Sequence, residues 1–282
     1  MQQFTSAHEL KKHLKETRNK RCSVGFVPTM GALHRGHMAL IDRALRENDA
    51  VVCSIFVNPT QFNNAEDLSH YPRTIASDLA LLQEVGCTAV YLPDVNEMYP
   101  QGLQIRPTTL DGLDRMMEGE HRPGHFDGVV TIVRTLFEQI NPNRAYFGTK
   151  DYQQLLIIKK LVAMEAIPIE IISCETVREP DGLALSSRNM RLSPQERATA
   201  SMLPKALMQV GADAVAYSLP TALQRARKAI ASFPELSLEY LEVAHRDTLQ
   251  PIVLGSNLAD ARVFAACHCG PVRLIDNMPL FT

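Results

Sequence analysis

The feature that most constrains the fold is an alternation, over residues 1–176, of short continuous apolar runs with segments of helical periodicity. The runs CSVGFVPT and AVVCSIFVN lack polar alternation, which is typical of strands buried on both faces. In RGHMALIDRALREN, which follows the first run, Met38, Ile41 and Leu45 repeat at helical spacing. Buried strands separated by helices predict a parallel sheet covered on both sides. We therefore predict a Rossmann-like, doubly wound α/β domain over residues 1–176.

The other elements of this domain follow from the same two patterns. Helical periodicity is present in SDLALLQEVG, VVTIVRTLFEQI and YQQLLIIKKLVAME, and apolar strands are predicted at TAVYLP and IEIISCETV. The first segment, MQQFTSAHELKKHLKET, has the pattern of a polar helix and lacks the apolar core of a signal peptide. We therefore expect a protein that is not exported and that acts in the cytoplasm.

After residue 176 the pattern changes. Ser193, Pro194 and Glu196 form a capping-box signature at the start of SPQERATASMLPKAL, and TALQRARKAIASF predicts a second helix. SLEYLEVAHR, RVFAACHC and PVRLIDNM then predict strands with no helices between them. We expect residues 177–282 to form a smaller α+β domain with an antiparallel sheet.

Charge, hydropathy and cysteine content exclude several function classes. A net charge of −2 argues against a broad nucleic-acid-binding surface, and no apolar run approaches the roughly 20 residues that span a bilayer. We therefore expect neither nucleic acid nor a membrane as a partner. Cys267 and Cys269 flank His268, which fits either a metal site or an alternating strand. The lack of a second ligand pair at zinc-site spacing favours the strand.

The stretch PTMGALHRGH follows the first predicted buried strand and opens the first amphipathic helix. His34 and His37 are three residues apart at the helix start and therefore face the same side. Gly36 between them permits close approach of a ligand to the backbone. A tight turn would explain the glycines, but a helix N-terminus at the carboxyl end of a sheet is also suited to phosphate. The glycine spacing fits neither a dinucleotide fold nor a P-loop.

Polar residues follow other predicted strands. Asn58 and Gln61 come after the second strand and Lys150 and Asp151 come after a later one, which places all four at the carboxyl edge of the sheet. Asn58 and Gln61 are also common turn residues, and a surface lysine is often only solvated. The segment LSSRN supplies two hydroxyls and a guanidinium, a set of donors suited to phosphate or to a simple loop.

HRGH matches the HxGH signature of the nucleotidyltransferase superfamily, and the longer PTMGALHRGH resembles the pantothenate synthetase (pantoate–β-alanine ligase) family. FVNPTQF, YPRT, HRPGHFDGV, FGTKDYQQL, LSSRN and RLIDN resemble the same family and occur in the same order. The resemblance covers nearly the whole chain and is densest from residue 24 to residue 190.

This resemblance implies the ATP-dependent condensation of (R)-pantoate with β-alanine to pantothenate, AMP and diphosphate, through a pantoyl adenylate, in coenzyme A biosynthesis. It also implies Mg²⁺ and a homodimer. Because the implied ATP site is divided between the two predicted domains, we expect the C-terminal domain to close over the ATP site when the charged triphosphate binds to both. By resemblance the catalytic residues are His34, His37, Lys150 and Arg188. The implied ATP-binding residues are Met30, Gly31, Ala32, Leu33, His34, Arg35, Gly36, His37, Gly148, Thr149, Lys150, Asp151, Val177, Leu185, Ser186, Ser187 and Arg188. Gln61 is implied for pantoate and β-alanine, and Gln154 for pantoate.

Some positions depart from the family pattern or stay open. Thr149 and Leu185 stand where the family usually has glutamate and methionine. Asp78 resembles a family carboxylate near magnesium, but an aspartate in the first turn of a helix needs no metal; the metal ligands are not assigned. An apolar wall for pantoate is implied at Val129, Ile132 and Val133.

Two other function classes share part of these motifs. A class I aminoacyl-tRNA synthetase would need a tRNA-binding domain, and only about 100 residues follow the LSSRN segment. An ATP-sensing module without catalysis would keep the phosphate-binding residues but would not need a pocket that binds pantoate.

Overall fold

The computed structural model describes residues 1–252 and 258–281. Contacts between residues divide the chain into two units. Unit 1 comprises Met1–Thr149 and Gln154–Glu175, and unit 2 comprises Lys150–Gln153 together with the described residues from Thr176 onward.

Six parallel strands form the sheet of unit 1 in the described part of the chain. They are β1 (Gln2–Phe4), β2 (Val24–Thr29), β3 (Ala50–Ile55), β4 (Ala89–Tyr91), β5 (Arg144–Gly148) and β6 (Glu170–Cys174). Their order is β1-β4-β3-β2-β5-β6. The chain proceeds from β2 to β4 on one side and from β5 to β6 on the other, so the direction of winding reverses between β2 and β5. The predicted doubly wound fold is confirmed, and ligands of such sheets bind at the carboxyl ends of the strands where the winding reverses.

Helices separate these strands. They are α1 (Ala7–Asn19), α2 (Arg35–Glu47), α3 (Ala65–Ser69), α4 (Ile75–Glu84), α5 (Val95–Met98), α6 (Glu118–His121), α7 (His125–Ile140) and α8 (Tyr152–Met164). The core lies where α7 packs on the sheet, and Phe26 and Phe137 meet there edge to face at 6.3 Å between ring centroids. Val129, Ile132 and Val133 are buried in this core. The apolar residues of α7 thus hold the helix against the strands that position the site.

Two boundaries in unit 1 differ from the sequence prediction. Residues 2–4 were predicted as part of a polar helix, but they pair in parallel with β4 as an edge strand. The sequence QQF is too short to show the periodicity of a strand, and pairing with β4 stabilises its extended conformation. Helix α7 begins at His125, four residues before the predicted VVTIVRTLFEQI, because Gly124 adopts a φ of 79° at its N-cap.

Unit 2 has the predicted α+β character. Its helices are α9 (Pro194–Ala200), α10 (Met202–Ala216) and α11 (Leu219–Ala231), and its antiparallel strands are β7 (Leu236–His245), β8 (Ala261–Cys269) and β9 (Val272–Pro279), in the order β7-β8-β9. The capping box is confirmed, with Ser193 N donating to Glu196 at 2.8 Å and Glu196 N donating to Ser193 at 3.3 Å. The single predicted helix is interrupted at Ser201, because Pro204 has no N–H to donate to the preceding turn.

The CHC segment lies in β8, as the alternation predicted. Cys267 and Cys269 are fully buried in the core of unit 2, whereas His268 lies on the opposite face, with Nε2 at 3.6 Å from Glu239 Oε1. Within the described residues no cluster of three or more His, Cys, Asp or Glu has the arrangement of a metal site. All six cysteines have free thiols.

Over residues 1–252 and 258–281, none of the helices has both the length and the apolar character required to cross a membrane.

Candidate active site

The loop after β2 is held in an unusual backbone conformation. Gly31 and Ala32 have φ angles of 81° and 49°. Alanine rarely adopts a positive φ, so the surrounding structure must stabilise it. Thr29 contributes on one side, since its Oγ1 donates to Ser54 O at 2.7 Å and accepts from Gly31 N at 3.2 Å.

Asp78, in the first turn of α4, stabilises the other side of this loop. Its side chain is almost completely buried, with 1% of its surface exposed. Its two oxygens accept hydrogen bonds from Ala32 N at 2.9 Å and Leu33 N at 2.8 Å, and Thr74 Oγ1 donates to Oδ1 at 3.1 Å. Both carboxylate oxygens thus bind the loop. The buried charge is explained by these contacts without a metal ion.

His34 and His37 cap the start of α2, and their rings lie 4.1 Å apart, as their spacing predicted. Gly36 N donates to His34 Nδ1 at 3.1 Å, and His34 N donates to His37 Nδ1 at 3.2 Å. A nitrogen that accepts from a backbone N–H carries no proton. The hydrogen-bond network therefore assigns the proton of each neutral ring to Nε2, and each imidazole becomes a donor at its outer nitrogen.

Gln61 lies beside this loop because β3 is the neighbour of β2, with Ile55 opposite Thr29. Gln61 Nε2 lies 2.8 Å from Met30 Sδ. The buried Asn58 donates to Gln61 Oε1 at 3.2 Å, which orients the glutamine amide. Two of the predicted segments are thus brought together at the carboxyl edge of the sheet.

Tyr99 fixes Asn58 in turn. Its hydroxyl donates to Asn58 Oδ1 at 2.6 Å, and burial raises the pKa of Tyr99. The hydroxyl therefore keeps its proton and remains a donor at neutral pH. The amide of Asn58 can then have only one orientation, with its NH₂ group towards Gln61 and the carbonyl of Gly128.

Residues 122–128, to which the sequence assigned no role, support Gln61 at the start of α7. His125 Nδ1 donates to Gln61 O at 2.8 Å, and Arg122 lies 3.2 Å from His125 Nε2 as its donor. At Gly128 an added Cβ would lie only 2.3 Å from Thr60 O. Only glycine therefore allows α7 to approach the Gln61 loop this closely.

Further predicted residues follow β5, the other neighbour of β2. Gly148 ends β5, and Thr149 begins a short 3₁₀ turn at the same edge of the sheet as the loop after β2. Gln154 lies in the first turn of α8 and is partly buried. The structure places these three residues in unit 1.

Lys150 was expected in the first domain, but Lys150–Gln153 belongs to unit 2. The physical reason is a set of contacts with β8 and β9. Asn277 Nδ2 donates to Lys150 O at 2.7 Å, and the Tyr152 ring contacts Phe264 at 6.0 Å between centroids. Lys150 Nζ lies 3.4 Å from Asp151 Oδ1.

The remaining predicted residues form one continuous segment of unit 2. Leu185 N donates to Val177 O at 3.0 Å, and a bridge between Arg178 and Ala184 closes a short hairpin. Ser186 then caps a 3₁₀ turn over Ser187–Arg191 by accepting from Arg188 N at 3.3 Å. The hairpin thus brings Val177 next to the LSSRN segment.

The family model described as "Pantoate-beta-alanine ligase" matches residues 2–279. The chain belongs to this family. It is therefore an enzyme, a ligase. The pantothenate synthetase of Cytophaga hutchinsonii is 47% identical over 279 residues, which cover 98% of each chain. The Thermus thermophilus pantothenate synthetase is 47% identical over 93% of this chain and 94% of that one.

Solved structures of the family have the same fold. A crystal structure of pantothenate synthetase from Thermus thermophilus superposes with a TM-score of 0.93, at 44% identity and 100% coverage of both chains. The Francisella tularensis pantoate-beta-alanine ligase, crystallised with "Beta-gamma ATP and Beta-alanine", has a TM-score of 0.84 at 36% identity, covering 99% of this chain and 98% of that one. The full-length match favours the ligase over the two alternative function classes.

Proposed function

We propose that this protein condenses (R)-pantoate with β-alanine and converts ATP to AMP and diphosphate, with a pantoyl adenylate as the intermediate. Membership of the pantoate–β-alanine ligase family supports the reaction, and the ATP and β-alanine complex of the Francisella relative supports both substrates. The observation that carries the proposal is the pair of Nε2–H donors of His34 and His37, at the point where the winding of the sheet reverses.

The reaction takes place in two steps. A carboxylate oxygen of pantoate attacks the α-phosphorus of ATP, and the bond to diphosphate breaks. The free amine of β-alanine then attacks the acyl carbon, AMP leaves with the electron pair of the C–O bond, and the amine loses a proton. No protein nucleophile is needed. The free cysteines, five of them buried, take no part.

The catalytic residues in this proposal act as hydrogen-bond donors to phosphate oxygens. They are His34, His37, Lys150 and Arg188. Attack on phosphorus increases the negative charge on these oxygens, and each preorganised donor contributes about 3 kcal/mol of transition-state stabilisation. His37 also donates its Nε2–H as a hydrogen bond to the leaving diphosphate, and it transfers no proton, because its neutral ring would otherwise be left as an imidazolate. Both imidazoles are suited to donation because their Nδ1 atoms already accept backbone hydrogen bonds.

We assign the remaining ligand contacts by segment. ATP is bound by Met30–His37, Gly148–Asp151, Val177 and Leu185–Arg188. Gln61 binds pantoate and β-alanine, and Gln154 binds pantoate. Mg²⁺ enters with the triphosphate as part of the MgATP substrate, which fits the hydrogen-bonded state of the Asp78 carboxylate.

Two further proposals concern the protein as a whole. A homodimer is proposed from the family resemblance, and sedimentation at micromolar concentration tests it. A cytoplasmic location is proposed because the six cysteines have free thiols, whereas disulfides are common in oxidising compartments.

Pyrophosphate exchange into ATP tests the two-step path. We expect exchange that requires pantoate but not β-alanine, because the adenylate forms before the amine reacts. Pantothenate should form only when β-alanine is added. Exchange that appears only in the presence of β-alanine would contradict a separate adenylation step.

Paired substitutions at His37 separate its cap from its catalytic role. His37→Asn keeps an acceptor near the Nδ1 position, so it should preserve the cap yet lower the exchange rate about 100-fold through loss of the outer donor. His37→Gln keeps a distal N–H and loses the cap, so it should lower unfolding stability by about 1 kcal/mol with a smaller loss of exchange. If His37→Asn exchanged at the wild-type rate, His37 would have only the structural role.

A further inference from the structure

The RLIDN segment of β9 carries two buried polar side chains that the reaction does not use. Asp276 and Asn277 are each 4% exposed. Asp276 accepts two hydrogen bonds from Arg178, at 2.7 Å and 2.8 Å. Arg178 lies in the hairpin next to Val177 and also donates to Gly182 O at 3.0 Å. Asp276 thus stabilises the hairpin that leads to the LSSRN segment.

Asn277 contacts Lys150, which lies in the other segment of unit 2 that has proposed ATP contacts. Its Nδ2 donates to Lys150 O at 2.7 Å, and its Oδ1 accepts from Arg262 Nε at 2.7 Å. The Arg262 guanidinium lies over the Tyr152 ring at 4.1 Å, and its burial lowers the pKa of Arg262. Since Arg262 can only donate, it fixes the orientation of the Asn277 amide and directs the NH₂ group to Lys150.

We propose that Asn277 is a positioning residue for Lys150. It holds the lysine main chain at the turn that follows β5, and so sets the point from which the ammonium group reaches phosphate. Asn277 itself contacts no substrate. This inference rests on the proposed assignment of Lys150 to ATP.

The substitution Asn277→Asp tests this contact with little change in volume. The carboxylate keeps an acceptor for Arg262 but places an oxygen against the Lys150 carbonyl in place of the donor. Two acceptors at 2.7 Å repel each other, so the lysine main chain must move. We expect pyrophosphate exchange to fall about tenfold, with the KM for pantoate changed less than twofold.

A double-mutant cycle with Lys150→Ala shows whether Asn277 acts through the lysine. Lys150→Ala alone should lower exchange about 100-fold, and Asn277→Asp should then cause less than a twofold further change. A purely structural role would give the same tenfold loss in both backgrounds. Equal losses would overturn the proposal.

Asn48→Asp is the matched control. Asn48 Nδ2 also donates to a main-chain carbonyl, Ala44 O at 2.9 Å, but Asn48 lies at the opposite end of β2 from the loop that contains His34 and His37. Asn48→Asp should lower the stability of the protein without changing the rate of pyrophosphate exchange by more than twofold. If Asn277→Asp does not fold, Arg262→Lys is the second variant, because it keeps a charge near Tyr152 but loses the Nε donor that orients Asn277.

Amide exchange over residues 150–153 gives a readout that does not depend on the assigned reaction. Asn277→Asp should raise the exchange rates there about tenfold, and Asn48→Asp should not. A wild-type protein without pantoate-dependent pyrophosphate exchange would refute the function while leaving this local test intact. If the wild type is active but Asn277→Asp changes neither amide exchange nor catalysis, only the positioning role is overturned.

Discussion

Replacing Asp78 by asparagine tests whether this buried carboxylate holds the loop before HRGH. The wild-type side chain accepts from Ala32 N and Leu33 N through separate oxygens, at 2.9 Å and 2.8 Å. Asparagine keeps one acceptor and turns an NH₂ group towards the other main-chain N–H. One charge-assisted hydrogen bond is lost, and a buried donor is left facing another donor.

The size of the effect follows from these contacts. A hydrogen bond to a charged group contributes about 1.5–3 kcal/mol, and a buried donor without an acceptor costs about 1–3 kcal/mol. These figures describe largely the same loss, and the asparagine also avoids the desolvation of a charge. We therefore expect Asp78→Asn to lower the free energy of unfolding by about 3 kcal/mol. Since Ala32 has a φ of 49°, the loop should also relax, and the KM for ATP should rise about tenfold.

Urea unfolding followed by far-ultraviolet circular dichroism measures the stability, and pyrophosphate exchange measures the KM. Asp49→Asn is the matched control, because Asp49 also accepts from a main-chain N–H, Ser23 N at 2.7 Å, but at an exposed site where water can replace it. The control should change stability much less. If Asp78→Asn and Asp49→Asn unfolded at the same urea concentration, the assigned role of Asp78 would be wrong.

Two further predictions concern packing and pH. Gly128→Ala should destabilise the protein by about 2–3 kcal/mol and impair pantoate binding, because the new Cβ would lie 2.3 Å from Thr60 O. Thermal unfolding and the KM for pantoate measure these effects. If neither quantity changed, α7 would be able to shift freely away from Thr60. Arg134 hydrogen-bonds Glu165 through Nε at 3.0 Å and holds the pKa of that carboxyl below its ordinary value of 4.5. The stability that this pair contributes is therefore present above that value and lost as pH falls through the lower folded pKa. The difference in unfolding free energy between wild type and Glu165→Gln should accordingly shrink from about pH 6 to about pH 3, and a constant difference would contradict it.

The sheet of unit 1 could be predicted from sequence because its central strands are buried on both faces. Such strands must be apolar throughout, so β2 and β3 are visible in composition alone. The edge strand β1 has no such requirement. Its three residues, QQF, are stabilised as a strand by pairing with β4, and the local sequence does not indicate that partner.

The candidate site shows the same division between local and distant causes. His34 and His37 were expected on one side of a helix start because three-residue spacing is a local property, and their ring contact confirms it. Asp78 could not be assigned to the loop from sequence, since its partners lie 45 and 46 residues away. The placement of Lys150 with unit 2 likewise depends on Asn277, which lies 127 residues further along the chain.

These distant contacts are all hydrogen bonds between a buried side chain and a main-chain group. Asp78, His125 and Asn277 are all buried, and each binds a main-chain group of a segment with proposed ligand contacts: Leu33 N, Gln61 O and Lys150 O respectively. Fixing a segment through its main chain uses no atom of the side chains that would meet substrate. Burial also keeps water from competing for these bonds, so each holds its segment more firmly than a surface contact could. Substitutions at the three positions should therefore alter substrate binding or turnover, although none of the three residues is assigned to a ligand.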